Sequence, residues 1–197
     1  MSKVNRAHPS AQASLFGEPE TATDRLFFAI FPATDAAAQA AALACDLRSR
    51  HRLGGQPLAS DRLHVTLNHL GDYVGVPRDL VAAATKAGGA VAASSFDVCF
   101  DRVASFASAR AVVLQGGEGL AALIAFQQAL VLEMTKAGLG RKAEKNFTPH
   151  MTLLYDKSPF AEQPIEPVSW TVQEFVLVHS LLGQTRHIAL ARWRLQG

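Results

Sequence analysis

The four-residue pattern His-x-Thr-Leu occurs twice in this chain, at residues 64–67 and again at residues 150–153. Each copy opens a short apolar run that ends at residues favouring turns, which is typical of a β-strand. The two histidines, His64 and His150, are 86 positions apart. A repeat of this kind predicts that two halves of one domain contribute matching strands.

Alternation along a strand explains the spacing inside each copy. Residues two apart point to the same face, so His64 is expected to share a face with Thr66, and His150 with Thr152. The leucines and the residue between His and Thr then point into apolar packing. If the halves pack about a pseudo-twofold axis, the four polar side chains converge on one cleft.

The remaining pattern predicts an α+β fold with mainly antiparallel sheet, because helices and strands are mixed without the regular alternation of a parallel α/β fold. Proline and glycine clusters separate the elements and predict a loop at residues 158–167. We predict strands at 26–31, 63–70, 96–106, 111–115, 150–155, 168–180 and 186–195, and helices at 34–50, 77–93 and 119–137.

Composition favours a single globular domain at residues 25–197, preceded by a flexible tail at residues 1–24. Of the 197 residues, 49% are hydrophobic and 18% are charged, and the net charge of +2 discriminates little between ligands. The chain offers no secretory signal and no membrane span. Its two cysteines, Cys45 and Cys99, lie far apart, which argues against a disulfide scaffold and fits a cytoplasmic protein.

Paired His and Thr side chains suit the hydrolysis of a phosphodiester. A neutral imidazole can take a proton from water while a protonated one gives a proton to the leaving oxygen. Threonine hydroxyls can donate hydrogen bonds to the non-bridging phosphate oxygens. A strained cyclic phosphate would need neither a metal nor another cofactor.

Two simpler interpretations compete with this one. A single His-x-Thr on a strand usually has a structural role, but a purely structural role is much less expected when the pattern occurs twice. A metal site is disfavoured because neither copy has a second ligand at suitable spacing, and threonine is a poor zinc ligand. The other histidines carry less weight: His69 is expected on the opposite strand face from His64, and the rest are assigned to tail, loop or structural positions (His8, His51, His179 and His187).

The two motifs resemble those of the two-histidine (2H) phosphoesterase superfamily, and within it the bacterial RNA 2′,3′-cyclic phosphodiesterases, often named 2′–5′ RNA ligases. Further similarity lies in the opening strand at 25–32 (RLFFAIFP), in the first motif extended over 63–71 (LHVTLNHLG), and in the second extended over 147–153 (FTPHMTL). The closing segment from Phe175 to Leu195 is also similar. The resemblance covers roughly residues 25–196.

This resemblance implies a bilobal fold, with two sheets related by a pseudo-twofold repeat, helices outside and a cleft between the lobes. It implies opening of 2′,3′-cyclic phosphates on RNA ends or nucleosides to 2′-phosphates without metal. His64 and His150 are then the catalytic pair, with His150 expected to activate water and His64 to protonate the 3′ oxygen. The reverse assignment stays open. Thr66 and Thr152 are expected to bind phosphate.

One position departs from the family pattern. Some relatives carry an arginine shortly after the second motif, where this chain has Tyr155. A tyrosine keeps one hydrogen-bond donor or a stacking surface but loses the bidentate contact of a guanidinium. Candidates to supply the missing positive charge are Lys157, Arg141, Lys142 and Lys145.

The expected partner is therefore RNA or a nucleotide bearing a cyclic phosphate, bound by a monomer away from any membrane. The tail peptide at residues 12–16, from Gln12 to Phe16, also resembles the short peptides that bind the bacterial replication sliding clamp. Alternatives to the enzyme are a non-catalytic RNA-end or nucleotide-binding domain, and a related cyclic phosphodiesterase or 2′–5′ RNA ligase with another substrate.

Overall fold

The computed structural model describes residues 20–158 and 161–197. Residues 1–19 of the predicted tail, including the clamp-like peptide at 12–16, lie outside the described residues. The described chain contains three α-helices and eight strands in the order β1 (Asp24–Ile30), α1 (Thr34–His51), β2 (Val65–Tyr73), α2 (Arg78–Ala90), β3 (Phe96–Phe106), β4 (Ala111–Gln115), α3 (Ala121–Lys136), β5 (Met151–Tyr155), β6 (Gln163–Val172), β7 (Glu174–Leu181) and β8 (Arg186–Arg194).

The strands form two four-stranded halves that meet in the middle of one sheet. Strand order is β6-β3-β4-β5-β2-β1-β7-β8, and neighbouring strands are antiparallel throughout. Within the sheet, the halves meet at β2 and β5, which pair at Val65 and Met151. The two strands that carry the repeated motif are therefore the two central strands. The predicted α+β architecture of two related antiparallel sheets is confirmed.

One face of the sheet is covered by the helices, and most of the core lies between them. Alternate residues of β1, Leu26, Phe28 and Ile30, point into this core and are fully buried. Helix α1 packs there through small side chains such as Ala40 and Ala44, which let its backbone approach the strands closely. Since the helices occupy this face, the opposite face of the central strands is left to form the cleft.

Phe28 is expected to be the most sensitive of these core positions. Its ring is fully buried and lies 6.3 Å from that of Phe175 and 6.0 Å from that of Trp193. Phe28→Ala should lower the free energy of unfolding by about 3–5 kcal/mol, because it removes buried surface and leaves a cavity. Leu132→Ala, at a position that is 55% exposed on α3, is the control and should change it by less than about 0.5 kcal/mol. Urea denaturation measures both.

The predicted loop at 158–167 and the predicted single strand at 168–180 are wrong. The chain instead forms β6 over Gln163–Val172 and, after one residue, β7 over Glu174–Leu181. These two strands belong to different halves, since β6 pairs with β3 and β7 pairs with β1. The prolines at 164 and 167 mislead the sequence interpretation because proline is tolerated on an edge strand, and β6 is an edge strand.

Candidate active site

The two motif strands carry the same irregularity at equivalent positions. In β2, Thr66 pairs with Ala29 and Asn68 with Phe28, so Leu67 is an extra residue in the ladder. In β5, Thr152 pairs with Val113 and Leu154 with Val112, so Leu153 is an extra residue. An extra residue of this kind is a β-bulge, and it reverses the facing of the residues after it as far as the next irregularity in the strand.

The bulges change which side chains reach the cleft. Asn68 becomes buried, where its side chain binds the backbone of Lys142 and Glu144. The next residue, His69, therefore turns to the cleft, as does Tyr155 in the other half. The prediction that His69 faces away from His64 is wrong, because strict alternation takes no account of the bulge at Leu67.

The two histidines are held by the same contact. His64 Nδ1 lies 2.7 Å from the carbonyl oxygen of Arg62, and His150 Nδ1 lies 2.8 Å from that of Thr148. A carbonyl oxygen only accepts, so each Nδ1 carries a hydrogen and donates it. Each Nε2 is then the ring atom left for proton transfer. The repeat therefore extends to the backbone that fixes each imidazole.

The surroundings of the two rings differ. The His64 ring stacks on Phe27 at 5.1 Å, and the His187 ring meets it edge-on at 5.1 Å. Burial, together with smaller contributions from the neighbouring His187, Arg62 and His150, lowers the pKa of His64 to about 4, against the opposing effect of the hydrogen bond to the Arg62 carbonyl. His64 is therefore neutral at pH 7. The ring of His150 has a single aromatic neighbour of this kind in the described chain, Phe106 at 5.2 Å.

All four predicted site residues line one cavity of about 510 Å³ between the halves: His64, Thr66, His150 and Thr152. Antiparallel pairing at Val65 and Met151 runs the two motifs against each other, with His64 beside Thr152 and Thr66 beside His150. The described residues that line the cavity include two arginines and four histidines but no aspartate or glutamate. This charge pattern favours an anionic ligand.

Several lining residues were missed from the sequence. His187 reaches the cavity because the β7–β8 hairpin carries it beside His64, although it was assigned a structural or surface position. Arg25 and Arg62 also line the cavity. The sequence could have indicated Arg62 as a site residue, because it lies two positions before His64. His179 has the structural role expected of it, since it is buried and bonded to Asp24.

The four basic residues proposed to replace the missing arginine do not line this cavity: Lys157, Arg141, Lys142 and Lys145. Lys142 instead donates hydrogen bonds to the Leu70 carbonyl and the Tyr73 hydroxyl. Tyr155 does line the cavity, and 59% of its surface is exposed. A positive charge near Tyr155 comes from the other half, from Arg25.

Within residues 20–158 and 161–197, no three His, Cys, Asp or Glu side chains are grouped so as to hold a metal ion. No helix in the same residues is both long and apolar enough to cross a membrane.

Matching His-x-Thr strands on two related half-sheets, facing one basic cleft, define the class of two-histidine phosphoesterases. A family model described as the 2′-5′ RNA ligase superfamily matches residues 32–184. The chain belongs to this superfamily, as the motifs predicted.

Individual relatives agree with this assignment. The chain is 30% identical over 177 residues to the RNA 2′,3′-cyclic phosphodiesterase of Escherichia coli K12, covering 87% of this chain and 96% of the relative. Crystal structures of E. coli LigT are similar: the complex with 3′-AMP has a TM-score of 0.71 at 28% identity, covering 89% of this chain and 99% of LigT. The NADP⁺ complex has a TM-score of 0.69 at 28% identity, covering 90% and 100%.

Proposed function

We propose that this protein hydrolyses 2′,3′-cyclic phosphates, on RNA 3′ ends or nucleosides, to 2′-phosphates without a metal ion. The observation that carries the proposal is the cavity itself, where two imidazoles with free Nε2 atoms and two hydroxyls meet among cationic side chains. The name of the E. coli relative, an RNA 2′,3′-cyclic phosphodiesterase, supports the same substrate. So do the LigT complexes, since 3′-AMP and NADP⁺ are nucleotides.

In the proposed reaction, water attacks phosphorus and the bond from phosphorus to the 3′ oxygen breaks. One imidazole Nε2 takes the proton from water, and the other gives a proton to the departing 3′ oxygen. Thr66 and Thr152 donate hydrogen bonds to the non-bridging oxygens, where negative charge grows in the transition state. The Arg62 guanidinium, beside His64, adds positive charge at the same place.

The unequal surroundings of the rings favour His64 as the base. Burial holds the pKa of His64 near 4, so its Nε2 keeps a lone pair at neutral pH and is ready to accept a proton from water. His150 then supplies the proton to the 3′ oxygen. This is the reverse of the assignment expected from the family resemblance.

The proposed substrate is tested by comparing phosphodiesters with a five-membered cyclic phosphate, a six-membered cyclic phosphate and no ring at the phosphorus. Initial rates with adenosine 2′,3′-cyclic phosphate should be compared with those for adenosine 3′,5′-cyclic phosphate and bis(4-nitrophenyl) phosphate, all in EDTA. We expect turnover of the 2′,3′-cyclic compound alone. Equal turnover of the six-membered ring would contradict the substrate assignment, and activity only after a divalent cation is added would contradict metal independence. Binding without any turnover would favour the non-catalytic alternative.

The lowered pKa of His64 predicts an unusual dependence of kcat/KM on pH below neutrality. A base must be unprotonated, so a histidine with an ordinary pKa of about 6.5 would lose about 30-fold in activity between neutral pH and pH 5. With a pKa of about 4, His64 stays neutral over this range. We expect no fall in kcat/KM between pH 7 and pH 5, because the base stays neutral and the acid, His150, can only gain protons as the pH is lowered. A loss of tenfold or more, with circular dichroism unchanged, would contradict the role of His64 as base.

A further inference from the structure

The cavity extends beyond the four catalytic groups to a rim formed by Arg25, His69 and Tyr155. Arg25 lies on β1 opposite Asp72, whereas Ile30 on the same strand lies opposite Val65 at the level of the histidines. Five residues of strand separate the two levels, roughly 16 Å along the backbone. The rim is therefore too far along the strands for its backbone to belong to the catalytic array, and a ligand that reaches both must be larger than a cyclic phosphate.

Asp72 fixes the Arg25 guanidinium. Arg25 Nε and Nη2 donate to the two carboxylate oxygens of Asp72, both at 2.7 Å. His69 Nε2 lies 3.0 Å from the same carboxylate. The hydrogen bonds from Arg25 first, and from His69 to a smaller extent, hold the pKa of Asp72 at about 2, so the pair is ionic at neutral pH.

One edge of the guanidinium is left for a ligand. Bidentate contact with Asp72 uses the Nε side, and no residue in the described parts of the chain accepts a hydrogen bond from Nη1. The Nη1–Nη2 edge presents two parallel N–H donors, the geometry that matches two oxygens of a phosphate. The side chain is 45% exposed, so a ligand can reach it.

Tyr155 lines the same rim near this group. Its phenol is near enough to contribute, after the Asp72 contacts, to the raised pKa of Arg25. Its ring is largely exposed at the cavity mouth. A cation beside an exposed aromatic ring is the combination that proteins use on single-stranded RNA, where the cation binds the backbone and the ring stacks on a base.

We propose that this rim is a binding site for the nucleotide that precedes the cyclic phosphate, with Arg25 on its phosphodiester and Tyr155 stacked on its base. The site rests on the proposed function and narrows its substrate to RNA 3′ ends of at least two nucleotides. It also gives Tyr155 a role, since the position that carries an arginine in some relatives serves here as a stacking surface. Asp72 is a positioning residue that holds the guanidinium.

The test compares kcat/KM for adenosine 2′,3′-cyclic phosphate with that for the dinucleotide ApA ending in the same cyclic phosphate. We expect the wild type to prefer the dinucleotide by about tenfold or more, the value of a charge-assisted hydrogen bond. Arg25→Ala should remove about tenfold of that preference, with the loss falling on the dinucleotide, and leave only the part that stacking on Tyr155 contributes. Arg50→Ala is the matched control, because it removes an ion-paired arginine from the exposed face of α1. Thermal melts confirm that each variant is folded.

A second substrate, with a neutral methylphosphonate in place of the internal phosphodiester, completes a double-mutant cycle between Arg25 and the phosphate charge. The wild type should lose about the same tenfold on this dinucleotide, and Arg25→Ala should lose nothing further, because the two changes remove the same contact. If Arg25→Ala lowers both natural substrates equally, Arg25 contacts the reacting phosphate and the rim site is wrong. If it lowers neither, the site is also wrong.

Binding separates this proposal from the proposed function. If the wild type turns over neither substrate, the proposed function fails. Calorimetry with adenosine 3′-monophosphate and with ApA bearing a 3′-phosphate then tests the rim by itself. Tighter binding of the dinucleotide by the wild type, weakened about tenfold in Arg25→Ala, supports the rim site, and equal affinities of the wild type for the two ligands overturn it.

Discussion

Replacing either His64 or His150 by alanine is expected to lower kcat on adenosine 2′,3′-cyclic phosphate by about 10³-fold or more. In the proposed mechanism each ring handles one proton in the transition state, and a positioned acid or base contributes about 10²–10⁴-fold. The two histidines act in one step, so the double variant should be at most about tenfold slower than either single variant. Stopped assays with chromatographic separation of the products measure all three.

The control for this prediction is His51→Ala, which removes a histidine at the end of α1, away from the cavity lining. It should retain wild-type kcat. If one histidine variant keeps more than a tenth of wild-type activity while folded, the paired mechanism is contradicted at that position. Equal small losses in His51→Ala and in the site variants would point to a general effect on the fold.

A substrate that needs no protonation of its leaving group should separate the roles of the two histidines. Sulfur in place of the 3′ oxygen of the cyclic phosphate leaves as a thiolate, which is far less basic than an alkoxide. If His64 is the base and His150 the acid, this substrate should restore His150→Ala by about 10²-fold or more relative to the oxygen substrate. His64→Ala should recover little, because it still lacks a group to accept the proton from water.

The outcome of this experiment decides between the two assignments. Rescue of His64→Ala instead of His150→Ala would contradict the role inferred from the low pKa of His64. That result would mean that the bound phosphate raises the pKa of His64 enough to make it the acid. Rescue of neither variant would contradict rate-limiting protonation of the leaving group.

Much of the candidate site was predictable because its signal is local. A repeated His-x-Thr on two short apolar strands, with alternation along each strand, is enough to predict four side chains on one face. The buried strand at residues 26–31 and the three helices are likewise carried by short-range apolar patterns. These elements appear in the structure with small shifts at their ends.

The rest of the site depends on contacts between distant parts of the chain. The bulge at Leu67, which turns His69 to the cleft, arises from pairing with β1 and leaves no mark in the local pattern. Arg25 reaches the cavity through the pairing of β1 with β2, and His187 through a hairpin that β7 joins to β1, a strand far away in sequence. The boundary between β6 and β7 was missed for the same reason. The single residue Gln173 separates the two strands, and what distinguishes them is that they pair in different halves.

The most direct test of the central claim is the identity of the product formed by the wild-type enzyme. ApA ending in a 2′,3′-cyclic phosphate should be hydrolysed in ¹⁸O-enriched water with EDTA and followed by ³¹P NMR. We predict one product, the 2′-phosphate, carrying one ¹⁸O atom on phosphorus, because a single water opens the ring at the 3′ oxygen. A 3′-phosphate, a mixture of both isomers, or hydrolysis that requires an added divalent cation would contradict the account.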